Sequence, residues 1–172
     1  MKWILIVVAI LAGLVAVAAL VGSLLPRDHV ASRSVRLRQS REAVWQAITD
    51  YAGAASWRPS LRSVERAPDQ DGHAVWKEID RHGEAMPLAT IEEAPPTRLV
   101  RKIADPGLPF DGTWTYEVVP DGEGCRITIT ERGEVKHALF RFVGRFVLGY
   151  TSTIDTYLKA LGRKFGEDVV PS

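Results

Sequence analysis

The sequence TWTYEVVPDGEGCRITITER, residues 113–132, alternates in two blocks around a glycine-rich turn. Trp114, Tyr116 and Val118 oppose Thr113, Thr115 and Glu117, and then Ile127 and Ile129 oppose Arg126, Thr128 and Thr130. A period of two with one apolar face predicts two half-buried antiparallel strands. Asp121-Gly122-Glu123-Gly124 between them has the turn residues of a hairpin and neither the spacing nor the strand-to-helix setting of a nucleotide loop.

Working towards the N-terminus, the same punctuation recurs. Leu61–Arg66, His73–Arg81, Met86–Glu93 and Arg98–Ala104 are short runs separated by Pro68-Asp69-Gln70-Asp71-Gly72, Gly83-Glu84, Pro95-Pro96-Thr97 and Asp105-Pro106-Gly107. With 113–119 and 125–132 they predict six consecutive antiparallel strands. A further strand is expected over Val30–Arg38, and Ser40 suits the N-cap of a short helix carrying Val44, Trp45 and Ile48 on one face. Tyr51–Trp57 reads as a brief helix or turn before Pro59. Towards the C-terminus the period changes: Leu139, Phe142, Val143, Phe146, Tyr150, Ile154, Leu158, Leu161 and Phe165 step by three and four. One amphipathic helix of about 40 Å is expected there, laid across a curved sheet.

The first residues are of another kind. From Trp3 to Leu25 there is no charge, and at about 1.5 Å per residue this run reaches roughly 34 Å, enough to cross a hydrocarbon core. A cleaved signal peptide is the competing reading, with Lys2 as the basic residue and Ala16-Val17-Ala18 or Val21-Gly22-Ser23 as cleavage sites. The run is longer than a usual signal core, so an uncleaved anchor over 1–26 is expected, with a single domain over 27–172. Arg27, Arg33, Arg36, Arg38 and Arg41 favour a cytoplasmic domain by positive-inside counting, whereas the short basic tail before the apolar run suits an exported one. The side of the membrane stays open.

Composition narrows the function by exclusion. The net charge is +1 and a quarter of the 172 residues are charged. No global field and no basic–aromatic platform points to nucleic acid as a partner. Cys125 is the only cysteine, which excludes an intramolecular disulfide and a multi-cysteine metal site. His29, His73, His82 and His137 are scattered without metalloprotease spacing, and no glycine-flanked serine elbow occurs. No metal and no cofactor is expected.

Strand, short helices, six strands and a C-terminal helix form the order of a helix-grip domain, α+β in class. The chain resembles the START-like superfamily, also called SRPBCC, whose bacterial members are often labelled polyketide cyclase or dehydrase and lipid transport. The resemblance covers about residues 29–168. It rests on Ser40-Arg41-Glu42-Ala43-Val44-Trp45 leading to Asp50, on Trp57-Arg58-Pro59, on Pro109-Phe110-Asp111-Gly112-Thr113-Trp114-Thr115-Tyr116, and on Gly149 through Gly166. It implies a curved antiparallel sheet around a long helix, with a cavity between them for an apolar ligand.

On that implication Trp57, Trp76, Met86, Leu88, Trp114, Tyr116, Phe142, Phe146 and Tyr150 are the candidates to line the cavity, although each is also an ordinary core residue of such a sheet and helix. Trp114 and Tyr116 are preferred, because they share one face of a central strand and the Tyr116 hydroxyl could orient a ligand. Glu78, Asp80 and His82 alternate along one strand and so point one way, as metal ligands or an acid–base group would. Lys77 and Arg81 put charge on the other face too, so a solvated strand is the preferred account of that trio. Glu92 and Glu93 are read likewise, as are Arg141, Arg145, Lys159, Arg163 and Lys164 on the last helix, for which anionic headgroups are the alternative. Three roles follow: a membrane-tethered binding module for a hydrophobic small molecule or lipid, a cyclase- or dehydratase-like enzyme using Tyr116, Asp80 or His82 on a polyketide-type substrate, and an assembly factor whose cavity is filled by side chains. Whether Glu78, Asp80 and His82 face the cavity discriminates the first two.

Overall fold

The alternating blocks around Gly122 form the longest pairing in the molecule. In a computed structural model describing residues 1–172, the side chain of Leu148 apart, β6 (Phe110–Asp121) and β7 (Gly124–Val135) pair antiparallel. Their register is unbroken from Phe110 opposite Val135 to Asp121 opposite Gly124. Gly122, at φ +63°, takes the first position of the two-residue loop, where a side chain would be strained.

The remaining strands extend this hairpin into one seven-stranded sheet. They are β1 (Asp28–Leu37), β2 (Leu61–Gln70), β3 (His73–Asp80), β4 (Ala85–Ala94) and β5 (Arg98–Ile103). The order β1-β7-β6-β5-β4-β3-β2 is a meander of the six predicted strands with β1 added beside β7, antiparallel throughout. Helix α2 (Arg41–Thr49) begins where expected, the Ser40 hydroxyl accepting the Ala43 N–H at 3.2 Å.

The core lies on the inner face of the sheet. Val35, Leu37, Leu99, Val118, Ile127 and Ile129 meet Val44 and Ile48 of α2 and Ile154, Leu158 and Leu161 of the C-terminal helix. Each of these large side chains contributes roughly 1.5–3 kcal/mol by leaving water. Cys125 is buried in the same cluster as a free thiol.

The single long C-terminal helix is corrected. Residues 138–164 divide into α3 (Ala138–Val143), a π turn (Gly144–Leu148) and α4 (Ser152–Lys164). The break is at Gly149, whose φ of +72° no helix admits and whose N–H is drawn back onto the Gly144 carbonyl at 3.0 Å. Only α4, about 20 Å long, lies in the grip of the sheet.

Helix α3 turns outward and packs on α1 (Lys2–Leu24), among the described residues the one helix long and apolar enough to cross a membrane, a test that a signal sequence also passes. The two backbones touch at Gly22, where any Cβ would stand 1.9 Å from the Ala138 carbonyl oxygen. Arg141 fastens the contact: its buried guanidinium donates from Nε to the Gly22 carbonyl at 2.7 Å and from Nη1 to the Val135 and Lys136 carbonyls at 3.2 and 3.1 Å. At the opposite end of the sequence, Ser172 exchanges both backbone hydrogen bonds with Ser34 on the outer edge of β1, and the Glu167 carboxylate accepts the Arg38 N–H.

Candidate functional site

Register aligns a polar row across the inner face: Thr90 of β4 opposite Arg101 of β5, Arg101 opposite Trp114 of β6, and Trp114 opposite Glu131 of β7. Paired residues in antiparallel strands point to the same side, so the pleat itself gathers these groups. Arg101, 4% exposed, donates from Nη1 to Oε1 of Glu78 on β3 at 2.6 Å. Glu78 is 9% exposed, and its other oxygen faces Nη2 of Arg58 at 2.8 Å. The short 3-10 turn Ala54–Ser56 delivers Arg58 to this position from outside the sheet.

Two guanidiniums thus share one buried carboxylate. Rings cover the rest: Arg101 lies 4.5 Å from the Tyr51 ring centroid and Arg58 4.9 Å from that of Tyr157 on α4, and the Tyr51 hydroxyl bonds Thr90 Oγ1 at 3.0 Å. Nε and Nη2 of Arg101 and Nε1 of Trp57 have no hydrogen-bond partner among the described residues.

A second branch starts at Glu131. Its Oε2 accepts the Trp114 Nε1–H at 2.9 Å and its Oε1 lies 3.1 Å from His29 Nε2. His29 stacks on Tyr150 with centroids 4.0 Å apart and rests against Gly133, where a Cβ would come within 2.3 Å of the imidazole. Trp114 also meets Tyr157 edge-on at 5.9 Å and Tyr116 at 6.1 Å, linking the two branches through aromatic faces.

Protonation states in the first branch are fixed. Burial alone would raise the Glu78 carboxyl, but the guanidiniums of Arg58 and Arg101 beside it hold it below the ordinary carboxylate range. Burial pushes the Tyr116 hydroxyl up to about 12 and the Tyr157 hydroxyl well above its usual value. Burial raises the Tyr51 hydroxyl as well, so near neutral pH the cluster is one carboxylate, two guanidiniums and three neutral phenols.

Solvent reaches this cluster through a cleft of about 270 Å³ between Arg58-Pro59-Ser60 and the first turns of α4, lined by Ser152, Thr153, Thr156, Tyr157 and Ala160. Arg58 belongs to both the cleft and the Glu78 pair.

The structure distributes the expected lining residues unevenly. Trp57, Trp114, Tyr116 and Tyr150 stand between the sheet and α4. Trp76, with Leu88 opposite it, and Met86, opposite Glu78, share the inner face further along, where Trp76 meets the Tyr51 ring at 5.6 Å. Phe142 and Phe146 are not opposite the sheet: the break at Gly149 carries them away with α3, their rings 5.0 Å from each other and Phe146 59% exposed.

Glu78 is likewise not on a solvated face. It points inward, whereas β3 ends at Asp80, which accepts the His82 and Glu84 N–H groups at 2.8 and 2.9 Å in the β3–β4 turn beside an exposed His82. Arg58, Arg101, Tyr157, His29 and Glu131 escaped notice as site residues. One signal was present: Leu99, Arg101 and Ile103 share a face, so Arg101 sits on an apolar stripe.

Comparison with known proteins agrees with the fold. A family model described as polyketide cyclase / dehydrase and lipid transport matches residues 28–165. Among solved structures, a START superfamily protein from Mycobacterium smegmatis is 18% identical with a TM-score of 0.61, covering 79% of this chain and 96% of that one. Truncated norcoclaurine synthase from Thalictrum flavum is 17% identical with a TM-score of 0.63, covering 81% and 94%. The Zhui aromatase/cyclase from a Streptomyces species is 14% identical with a TM-score of 0.59, covering 80% and 93%. Identities this low establish the fold alone. No curated protein sequence matches.

Proposed function

From the premise that the chain belongs to the polyketide cyclase / dehydrase and lipid transport family, we propose that it is a binding module, residues 27–172, held at a membrane by residues 1–26. Its ligand has an apolar body and an acidic or hydrogen-bond-accepting head. The observation that carries this reading is the sharing of Glu78 between Arg58 and Arg101, which leaves one positive charge beside the cleft and unpartnered N–H groups on Arg101. A buried charge without a counter-charge is costly, and an anionic or strongly accepting head entering at Arg58 relieves it. Tyr157, Ala160 and Pro59 of the cleft supply apolar surface for the body, at roughly 25 cal/mol per Å² removed from water, with Trp57, Trp114 and Tyr116 packed behind Tyr157.

Binding is favoured over chemistry within this cluster because no group in the Glu78 branch changes protonation near neutral pH, as a general acid or base must. Native mass spectrometry of the detergent-extracted full chain is expected to show a co-purified small molecule or lipid, and Arg58→Gln to lose it. A wild type that carries nothing and binds neither a neutral nor an anionic apolar probe rejects the reading. The intact mass is expected to include residues 1–26; a shortened chain that stays in solution rejects the tether.

A second reading has its own support in the His29–Glu131 pair, a carboxylate-oriented imidazole with Nδ1 buried and unpartnered. It makes the protein a cyclase- or dehydratase-like enzyme with His29 as the acid–base group. Glu131→Gln would then abolish turnover of a polyketide-type substrate while ligand retention persists; retention without turnover in the wild type leaves the binding module.

A further inference from the structure

Three large apolar side chains on the outward segment face solvent: Phe140 is 52% exposed, Phe146 59% and Val147 68%. Large apolar side chains left exposed within eight residues of one segment point to an interaction site. The same segment packs against α1, and the partly covered positions of α1, namely Ala18, Ala19, Val21 and Gly22, all fall in its last two turns. At about 1.5 Å per residue, α3 meets α1 within roughly 10 Å of that helix's end. Amphipathic segments at a bilayer surface bury their apolar face about 5–10 Å deep, at the boundary of headgroups and acyl chains.

We infer that α3 and the π turn form a second membrane-contacting element, seated in the headgroup–acyl boundary beside the anchor. This rests on the reading of α1 as a membrane span. Phe140, Phe146 and Val147 enter the lipid, and the exposed Arg145 reaches the headgroups along its apolar stem. The docking is rigid rather than leashed, because Gly22 and Ala138 touch backbone to backbone and the buried Arg141 ties the end of α1 to the end of β7. The anchor thereby fixes the orientation of the sheet instead of trailing it on a free linker. It also brings Tyr150 and the first turn of α4, where the cleft opens, to within a few residues of the bilayer surface along the chain.

The test places an environment-sensitive fluorophore on single introduced cysteines of the full chain in phosphatidylcholine vesicles, the native Cys125 being buried and unreactive to the label. Lipids spin-labelled near the headgroup or deep in the chain act as quenchers. The positions are Val147→Cys on the segment, Leu11→Cys in the middle of α1, and Val119→Cys as a control, exposed on β6 nine residues beyond Phe110 and so about 30 Å along the strand from the α3 end. The expected result is that the Val147 label loses most of its emission to the headgroup-proximal quencher, the Leu11 label to the deep one, and the Val119 label to neither. A Val147 label that behaves like the Val119 label overturns the inference. The Leu11 label separately decides the span: quenched with Val147 unquenched, the anchor stands and the second contact falls; unquenched, the anchor falls and the inference falls with it.

Discussion

Replacing Glu78 by glutamine isolates the buried ionic contact at the centre of the candidate site. The carboxylate accepts from Arg101 Nη1 at 2.6 Å and faces Arg58 Nη2 at 2.8 Å. Hydrogen bonds to charged groups contribute about 1.5–3 kcal/mol each. Glutamine keeps one acceptor oxygen but turns an NH₂ towards the other guanidinium, so one bond becomes a donor–donor contact and both cations lose their counter-charge. Removing one partner of a buried pair costs about 3–5 kcal/mol, and the slight solvent access of Arg58 at the cleft argues for the lower half of that range. In a domain of this size 1 kcal/mol shifts the melting temperature by roughly 2–4 °C, so Glu78→Gln should melt about 10 °C lower.

Thermal unfolding of the full chain in detergent, followed by circular dichroism, measures this. Replacing the whole triad, Glu78→Leu with Arg101→Met and Arg58→Met, should recover much of the loss, because apolar groups of similar volume then stand in for all three desolvated charges. The pH dependence has a definite sign. A carboxyl held below its ordinary range stabilises the fold above that range, and the contribution fades as pH falls through the folded value. The gap between wild type and Glu78→Gln should therefore be full at neutral pH and narrow in acid. A glutamine variant melting within about 2 °C of the wild type at neutral pH would refute the idea that the pair is desolvated and mutually dependent.

Trp114→Ala removes a ring packed on Tyr116 and Tyr157 and takes the donor from Oε2 of Glu131, whose Oε1 keeps His29; a loss of about 3–5 kcal/mol is expected from the urea midpoint, together with weaker binding of an apolar probe. Gly149→Ala forces a side chain into a backbone region open almost solely to glycine, so about 1–3 kcal/mol of local strain should appear as faster hydrogen exchange across residues 144–151 while the sheet amides keep their protection.

The strands were legible because each was written twice, in the alternation of its apolar face and in the turn residues that bound it. The hairpin around Gly122 and the cap at Ser40 needed no tertiary information. The C-terminal break was hidden because the apolar spacing from Leu139 to Phe165 runs on through Gly149 without changing period, although its two halves face different surroundings: α1 and solvent for Phe142 and Phe146, the sheet for Ile154 and Leu158. One glycine at positive φ redirects the chain without disturbing the pattern. Glu78 misled for another reason. Charges flank it on its own strand, and the guanidiniums that make its burial tolerable are twenty and twenty-three positions away, on a turn and on β5, where register rather than local pattern brings them in.

An antiparallel sheet that does not close into a barrel has two free rims, each a ready template for pairing with a strand of another molecule. Each rim is blunted differently. On β2 the ladder is interrupted by irregularities between Leu61 and Ser63 and between Ala67 and Gln70, with Pro68 lacking an N–H to offer. On β1 the covering is supplied from elsewhere in the chain: Ser172 occupies both backbone groups of Ser34, and Glu167 holds the Arg38 N–H. A neighbouring molecule finds the donors and acceptors at these positions already spent, so crowding cannot readily propagate strand pairing from one molecule to the next.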